Sequence, residues 1–208
     1  MAQTDRHRYL VRITEIQGQA MKGEIVESKT GPEERPPKII LGQALLKGEK
    51  MAWVIQKSTE LGAGRIVPLL TERVMAHLTP DQAHKHQVRW QRIACEAAQQ
   101  AERWEIPSIE TPIPIDLFWQ THSRLAQLNL ILAERKQTFA LSHVTFPEEW
   151  RQDLVLAIGP EGGWTTQELE QALQNGAHLV SLGPSILRAE TAALAAVCLV
   201  QARLGNLQ

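Results

Sequence analysis

Long apolar runs are missing from this chain. No stretch approaches the ~20 residues needed to cross a bilayer, and the opening residues, Met1 to Arg8, form no apolar signal-peptide core. No membrane partner is expected, and the cytoplasm is the expected location. Cysteine is scarce: Cys95 and Cys198 share no C-x-x-C spacing and sit in no ligand cluster. They read as small buried hydrophobes in a reducing compartment. The seven histidines make no H-E-x-x-H spacing; His84 and His86, two apart, diverge on a helix. No metal site is expected. Two glycine motifs are absent as well. No Gly-Lys-Ser/Thr follows a glycine loop, which removes nucleotide hydrolysis, and no G-x-G-x-x-G with its downstream acid is found, which removes a dinucleotide-dependent dehydrogenase.

A net charge of −1 gives no global nucleic-acid signature. The charge is uneven, however. Residues 1–104 hold 16 Lys+Arg against 12 Asp+Glu, while residues 105–208 hold 6 against 11. This polarity fits either a polyanion met by the first half or plain surface variation. A length of 208 residues allows one large domain, or a medium one with a small companion.

What the chain does have is a repeated pattern near its end. Two apolar runs, Leu154–Ile158 and His178–Leu182, each stop in a glycine loop, Gly159 to Gly163 and Gly183 to Arg188, and each loop leads into a helix. Strand, glycine loop and helix, twice over, predict a crevice at the carboxyl ends of parallel strands. Further strands are expected at Lys38–Leu46, Arg65–Leu70 and Leu128–Ala133, which completes an α/β fold. Helices are expected after Gly48, where Met51, Val54, Ile55, Ser58 and Leu61 share one face, and from Thr79 to about Ala101. Capping boxes mark two starts, Thr79 with Gln82 and Thr165 with Glu168. Residues 8–28 alternate as two short antiparallel strands. Thr30 to Pro37, with three prolines and a glycine, reads as a linker. Residues 136–153 are expected to be irregular and in part helical.

Three features bear on chemistry. The Gly162–Gly163 turn offers free backbone N–H groups, suited to an anion, or it is merely a tight turn. Lys85, Arg89 and Arg92 form a basic stripe on the second helix, either a solvated face or a phosphate-contacting one. Arg188, Glu190 and Thr191 cluster where the last helix begins; a local ion pair and a substrate contact both fit. That last helix, Ala189 to about Leu204, is apolar nearly all round, which places it in the core or at a subunit interface, and in part at the interface.

These segments resemble a known family. AIGPEGGWTTQELE followed by LGPSILRAETAALAA is similar to the C-terminal signature of the RsmE family, methyltransferases of small-subunit ribosomal RNA. KGEKMAWVIQKSTELGAGRIVPLLTERV and WQRIACEAAQQAERWEIPSIE resemble its earlier motifs, in the same order, over roughly residues 38–205. The resemblance implies a SPOUT-type α/β domain with a deep C-terminal trefoil knot over 38–208, and a homodimer. Residues 1–37 would be a remnant of the family's PUA-like β-barrel, with most of that RNA-binding domain absent. It implies S-adenosyl-L-methionine as cofactor, held by Leu70, Thr71, Gly159, Glu161, Gly162, Gly163, Leu182, Gly183, Ser185 and Leu187. It implies methylation of N3 of a uridine in 16S rRNA of the small ribosomal subunit, with Arg188 and Glu190 catalytic, and Thr191 and Arg103 facing RNA beside the Lys85, Arg89 and Arg92 stripe. Glu190 is expected either to take the N3 proton or to hold Arg188 by an ion pair. The alternative expectation is a knotted dimeric RNA-binding protein that keeps the cofactor pocket but has little activity alone.

Overall fold

The computed structural model describes residues 2–3, 7–18, 20–31, 38–74, 78–133 and 139–207. Near the N-terminus lies a small antiparallel sheet of β1 (Ala2–Gln3), β2 (His7–Gln17) and β3 (Ala20–Thr30), with β2 in the middle. The expected hairpin is therefore present. Several of its apolar side chains, among them Ile13, Ile16, Met21 and Ile25, remain more than half exposed. Arg8 ties it to the rest of the chain: its guanidinium lies 4.0 Å over the Trp104 ring and donates to the Glu102 carbonyl. Residues 32–37, most of the expected linker, lie outside the described residues.

The second sheet has β4 (Ile39–Ala44), β5 (Arg65–Leu70), β6 (Ser108–Ile109), β7 (Ile113–Pro114), β8 (Ala126–Leu132), β9 (Phe139–Ala140), β10 (Asp153–Ile158) and β11 (His178–Ser181). The order runs β6-β5-β4-β10-β8-β11-β9, with β7 also on β5, and each pairing is parallel. The centre, β4 and β10, is covered on both faces, so these strands read as unbroken apolar runs and not as alternations. Among the described residues of the stretch expected to be irregular and in part helical lie β9, a 3-10 turn at Leu141–His143 and the first residue of β10.

Among the described residues five α-helices cover the sheet: α1 (Lys50–Glu60), α2 (Pro80–Gln100), α3 (Ile115–His122), α4 (Thr166–Gln174) and α5 (Ala189–Arg203). Strand alternation sorts the core into two layers. Ile39, Leu41, Leu154 and Leu156 face α1, α2 and α5, whereas Ile40, Val67, Val155 and Ala157 face α3 and α4. Both capping boxes are formed: Thr79 with Gln82 opens α2, and Thr165 with Glu168 opens α4. α5 divides lengthwise. Ala192, Ala193, Ala196, Val197 and Val200 are buried, while Thr191, Cys198, Leu199 and Ala202 are exposed along the opposite side. One side of the helix is thus spent on the core, while Cys198, Leu199 and Ala202 leave apolar surface uncovered on the other.

Candidate functional site

β10, β8 and β11 are neighbours in the sheet and run parallel, so their carboxyl ends, Ile158, Leu132 and Ser181, lie together. The two glycine loops leave from there and meet. They enclose a cavity of roughly 530 Å³ lined by Gly159 to Gly163 from the first loop, Ile186 to Arg188 from the second, Leu132 and Ala133 after β8, and Ala189 and Ala192 of α5. A second hollow of roughly 250 Å³ runs along Leu182 to Leu187 and shares Leu132, Ala133, Ile186, Leu187 and Ala192 with the first. Of the residues expected to hold a cofactor, Gly159, Glu161, Gly162, Gly163, Leu182, Gly183, Ser185 and Leu187 line these two hollows. Size and lining suit a small organic ligand: mostly apolar walls with a few backbone polar groups.

Leu70 and Thr71 are placed differently. Leu70 ends β5, one strand beyond β4, and Thr71 follows it, and neither lines the cleft; Leu70 borders a separate hollow with Glu72, Thr165 and Glu168. The Thr71 side chain is buried, and its hydroxyl has no hydrogen-bond partner among the described residues. The loop after β5 still supports the site through its neighbours. Glu168 accepts from Thr165 N through one oxygen and from Glu72 N, at 2.9 Å, through the other. Arg73 Nη1 donates to Gly162 O at 2.6 Å. A capping box read as purely local therefore also fastens one loop to another.

Trp164 sets the floor of the first loop. Its Nε1 donates to Leu132 O at 2.7 Å, joining the loop to the end of β8. A β-carbon on Gly159 would lie 3.1 Å from the indole, closer than ordinary packing contact, so the ring occupies the space a side chain would need. In the second loop Gly183 has φ +120°, a backbone that L side chains rarely adopt.

The charged residues form an arrangement that sequence reading missed. Lys50, in the first turn of α1, places Nζ 3.2 Å from Glu161 of the first loop and 3.4 Å from Glu190 of α5. Glu190 takes Lys50 as its partner. No hydrogen bond or ion pair holds the Arg188 side chain among the described residues, and it stands exposed at the N-cap of α5. Glu190 is held below the ordinary carboxylate range, first by its own backbone N–H and then by Lys50, with Arg188 adding to it and burial opposing it. Lys50 is raised, chiefly by Glu161, with burial opposing and Glu190 adding. The second Glu190 oxygen, Oε2, is buried and has no hydrogen-bond partner among the described residues.

The residues expected to face RNA do not gather in one place. Thr191 is exposed one residue beyond Glu190. Lys85, Arg89 and Arg92 are exposed along α2; Arg89 pairs with Glu49 at 2.7 Å, beside Lys50, and Arg92 pairs with Glu96 at 2.9 Å. Arg103 lies at the other end of the sheet, where Nη1 donates to Thr59 O at 2.7 Å and to Ala63 O at 2.8 Å, bracing the turn from α1 to β5. Both cysteines are free thiols, Cys95 half-buried and Cys198 exposed; burial was expected for both, and Cys198 instead lies on the uncovered side of α5. Among the described residues no cluster of His, Cys, Asp or Glu is arranged to hold a metal, and no helix is long and apolar enough to cross a membrane.

Residues 33–201 match the family model of an RNA methyltransferase domain. The chain is 37% identical over 181 residues to a ribosomal RNA small subunit methyltransferase E from Synechocystis, covering 87% of this chain and 58% of that protein. It is 32% identical over 179 residues to the protein of the same name from Bacillus subtilis, covering 83% and 69%. Among solved structures, a ribosomal RNA small subunit methyltransferase E from Neisseria gonorrhoeae bound to S-adenosyl methionine superposes with a TM-score of 0.83 at 31% identity, over 96% of this chain and 80% of that one.

Proposed function

The chain belongs to the RNA methyltransferase family of the ribosomal RNA small subunit methyltransferases E, and from that premise we propose that it methylates N3 of a uridine in 16S rRNA of the small ribosomal subunit, with S-adenosyl-L-methionine as methyl donor. One observation carries the proposal: two glycine loops from neighbouring parallel strands close on one cleft, with an arginine at its mouth that no described residue engages.

The residues present fit that cofactor. Gly159 and its neighbours leave backbone exposed beside Ile158, Leu187 and Ala192, and the space over Gly159 is filled by Trp164 and not by a side chain of its own. When bound, S-adenosylmethionine supplies a methyl group on a positively charged sulfur, which needs no metal. The protein's task is to hold the uracil in line and to manage the N3 proton. Arg188 stabilises the negative charge that develops on the uracil ring as that proton leaves. Glu190 stands next to the cleft-lining Ala189 and is ionised, and we assign it the N3 proton, taken through water because its Oε2, which has no donor among the described residues, is buried. Thr191 and the exposed cations of α2 are assigned to RNA contact, whereas Arg103 braces the scaffold.

The finer architecture belongs to the same proposal. A trefoil knot is supported by the late strand β10 lying between β4 and β8, and by the return of the chain after β11 to pack α5 with α1 in one core layer. Arg203 of α5 donates to Ser142 O and Val144 O in the segment joining β8 to β10. A homodimer is supported by the uncovered apolar side of α5. The small N-terminal sheet is assigned to RNA as part of a PUA-like module.

The test uses small ribosomal subunits lacking the modification, the purified chain and radiolabelled S-adenosylmethionine. Label should enter 16S rRNA at one uridine, and that position should stop reverse transcription, because a methyl on N3 blocks the base-pairing edge. No incorporation despite cofactor and RNA binding would instead support the knotted RNA-binding protein of little activity alone.

A further inference from the structure

Lys50 lies in the first turn of α1, at the positive end of a helix dipole, where a cation is unfavourable. No acidic residue of that turn compensates it. Its compensation comes from far along the chain, from Glu161 at 3.2 Å and Glu190 at 3.4 Å. Because both oxygens approach one nitrogen, the two carboxylates can be no further apart than those two distances laid end to end. Carboxylates that close repel each other unless a cation stands between them. One belongs to the first glycine loop, and the other begins the helix that the second loop enters. Remove the ammonium, and two like charges push the walls of the cleft apart.

We propose that Lys50 is a positioning residue that clasps the two loops of the cleft together, setting their separation for the cofactor and fixing Glu190 by its Oε1 so that Oε2 stays free. This rests on the methyltransferase reading for the ligand, but the clasp itself is a property of the loops. Lys50 contacts neither cofactor nor RNA in this scheme and acts through Glu161 and Glu190. The position of Arg89 supports it: this residue pairs with Glu49 next to Lys50 and so holds the start of α1 against α2.

The experiment compares wild type, Lys50→Met and Lys50→Arg by hydrogen exchange, with S-adenosylmethionine affinity measured by calorimetry. Half-exposed ion pairs are individually weak, so the effect is about tenfold and not thousandfold. Amides of 159–164 and of 183–190 should exchange about tenfold faster in Lys50→Met, with β4 and β10 unchanged, and Lys50→Arg should restore both. α1 should not loosen, since removing a cation from its N-terminus favours the helix. Cofactor binding should weaken by about the same factor on that basis, with KM for S-adenosylmethionine rising more than kcat falls. Loosening of one loop only, of neither, or of the whole protein uniformly would overturn the clasp, as would failure of Lys50→Arg to restore it. Should wild type not bind S-adenosylmethionine, the methyltransferase assignment falls, and the exchange of the two loops still decides the clasp.

Discussion

Gly159→Ala isolates what the first loop demands. Gly159 is not among the glycines with positive φ, so the backbone itself accepts an alanine. On that ground alone the substitution would stabilise by roughly 0.4–1 kcal/mol through a less flexible unfolded chain. Contact works the other way. The new β-carbon would meet Trp164 Cε2 at 3.1 Å and Nε1 at 3.2 Å, against about 3.5–4.0 Å for an ordinary carbon contact. The indole must retreat by several tenths of an ångström, and it is poorly free to do so: it is buried against Ala157 and Leu169 and held by its bond to Leu132 O. Forced overpacking costs roughly 1–3 kcal/mol, and a weakened hydrogen bond adds roughly 0.5–1.5 kcal/mol. The clash wins, with a net loss of about 1–3 kcal/mol on those figures. In urea the midpoint should fall by about 1 M at an unchanged slope, and cofactor affinity should fall too, because Leu132 and Trp164 both line the cleft. Trp164→Phe added to Gly159→Ala should recover part of the midpoint, since the smaller ring leaves room. A Gly159→Ala protein with wild-type midpoint and affinity would refute the claim that the indole sets the loop.

Four further outcomes are expected. Arg188→Ala should bind S-adenosylmethionine and unfold as wild type does, while methylation drops about 10²–10³-fold, as when one preorganised stabiliser is removed; equal rates would make the residue structural. Leu199→Glu, on the uncovered side of α5, should turn a dimer into a monomer in sedimentation, and a wild-type monomer at micromolar concentration would defeat the interface. Thr79→Ala removes the hydroxyl that accepts from Gln82 N and should lower stability by about 1 kcal/mol in denaturant titration. Glu110 is held below the ordinary carboxylate range, first by His122 and, against burial, also by Arg65. Its contribution to stability is therefore complete above that range and lost as pH falls through its lowered value; Glu110→Gln should flatten the acid limb of a stability profile, and an unchanged limb would exclude it.

The strand–loop–helix pattern was legible because its signals are local. Buried parallel strands are continuous apolar runs, glycines end them, and Thr165 with Glu168 lie within one helical turn. The cleft followed from that pattern, since parallel neighbours must open at one end. What escaped was every contact made over long sequence distance. Lys50 reaches Glu161 across 111 residues, and nothing in its own surroundings marks it. Trp164 reads as one more aromatic until Leu132 O is found 32 residues earlier. Arg103 shows the converse. Its position in a motif resembled a ligand contact, yet the backbone carbonyls of Thr59 and Ala63 claim it at the far end of the sheet. Arg188 and Glu190 were weighed as an ion pair because they are close in sequence; Lys50 takes that place, and its approach could not be read from spacing.

The placement of β10 bears on how the chain emerges from a ribosome. β4 and β5 can pair as soon as they leave the exit tunnel, but the other edge of β4 waits for Leu154, and β8 cannot join the sheet until β10 stands between them. Lys38 N closes on Asp153 across 115 residues. At translation speeds of about 5–20 residues per second, that interval lasts roughly 6–23 seconds. Throughout it the edge of β4 that β10 will pair, and the part of its Ile39 and Leu41 face that α5 will cover, lie open to other nascent chains. A holdase that shields them over that window would raise the yield of folded protein more than one acting after release.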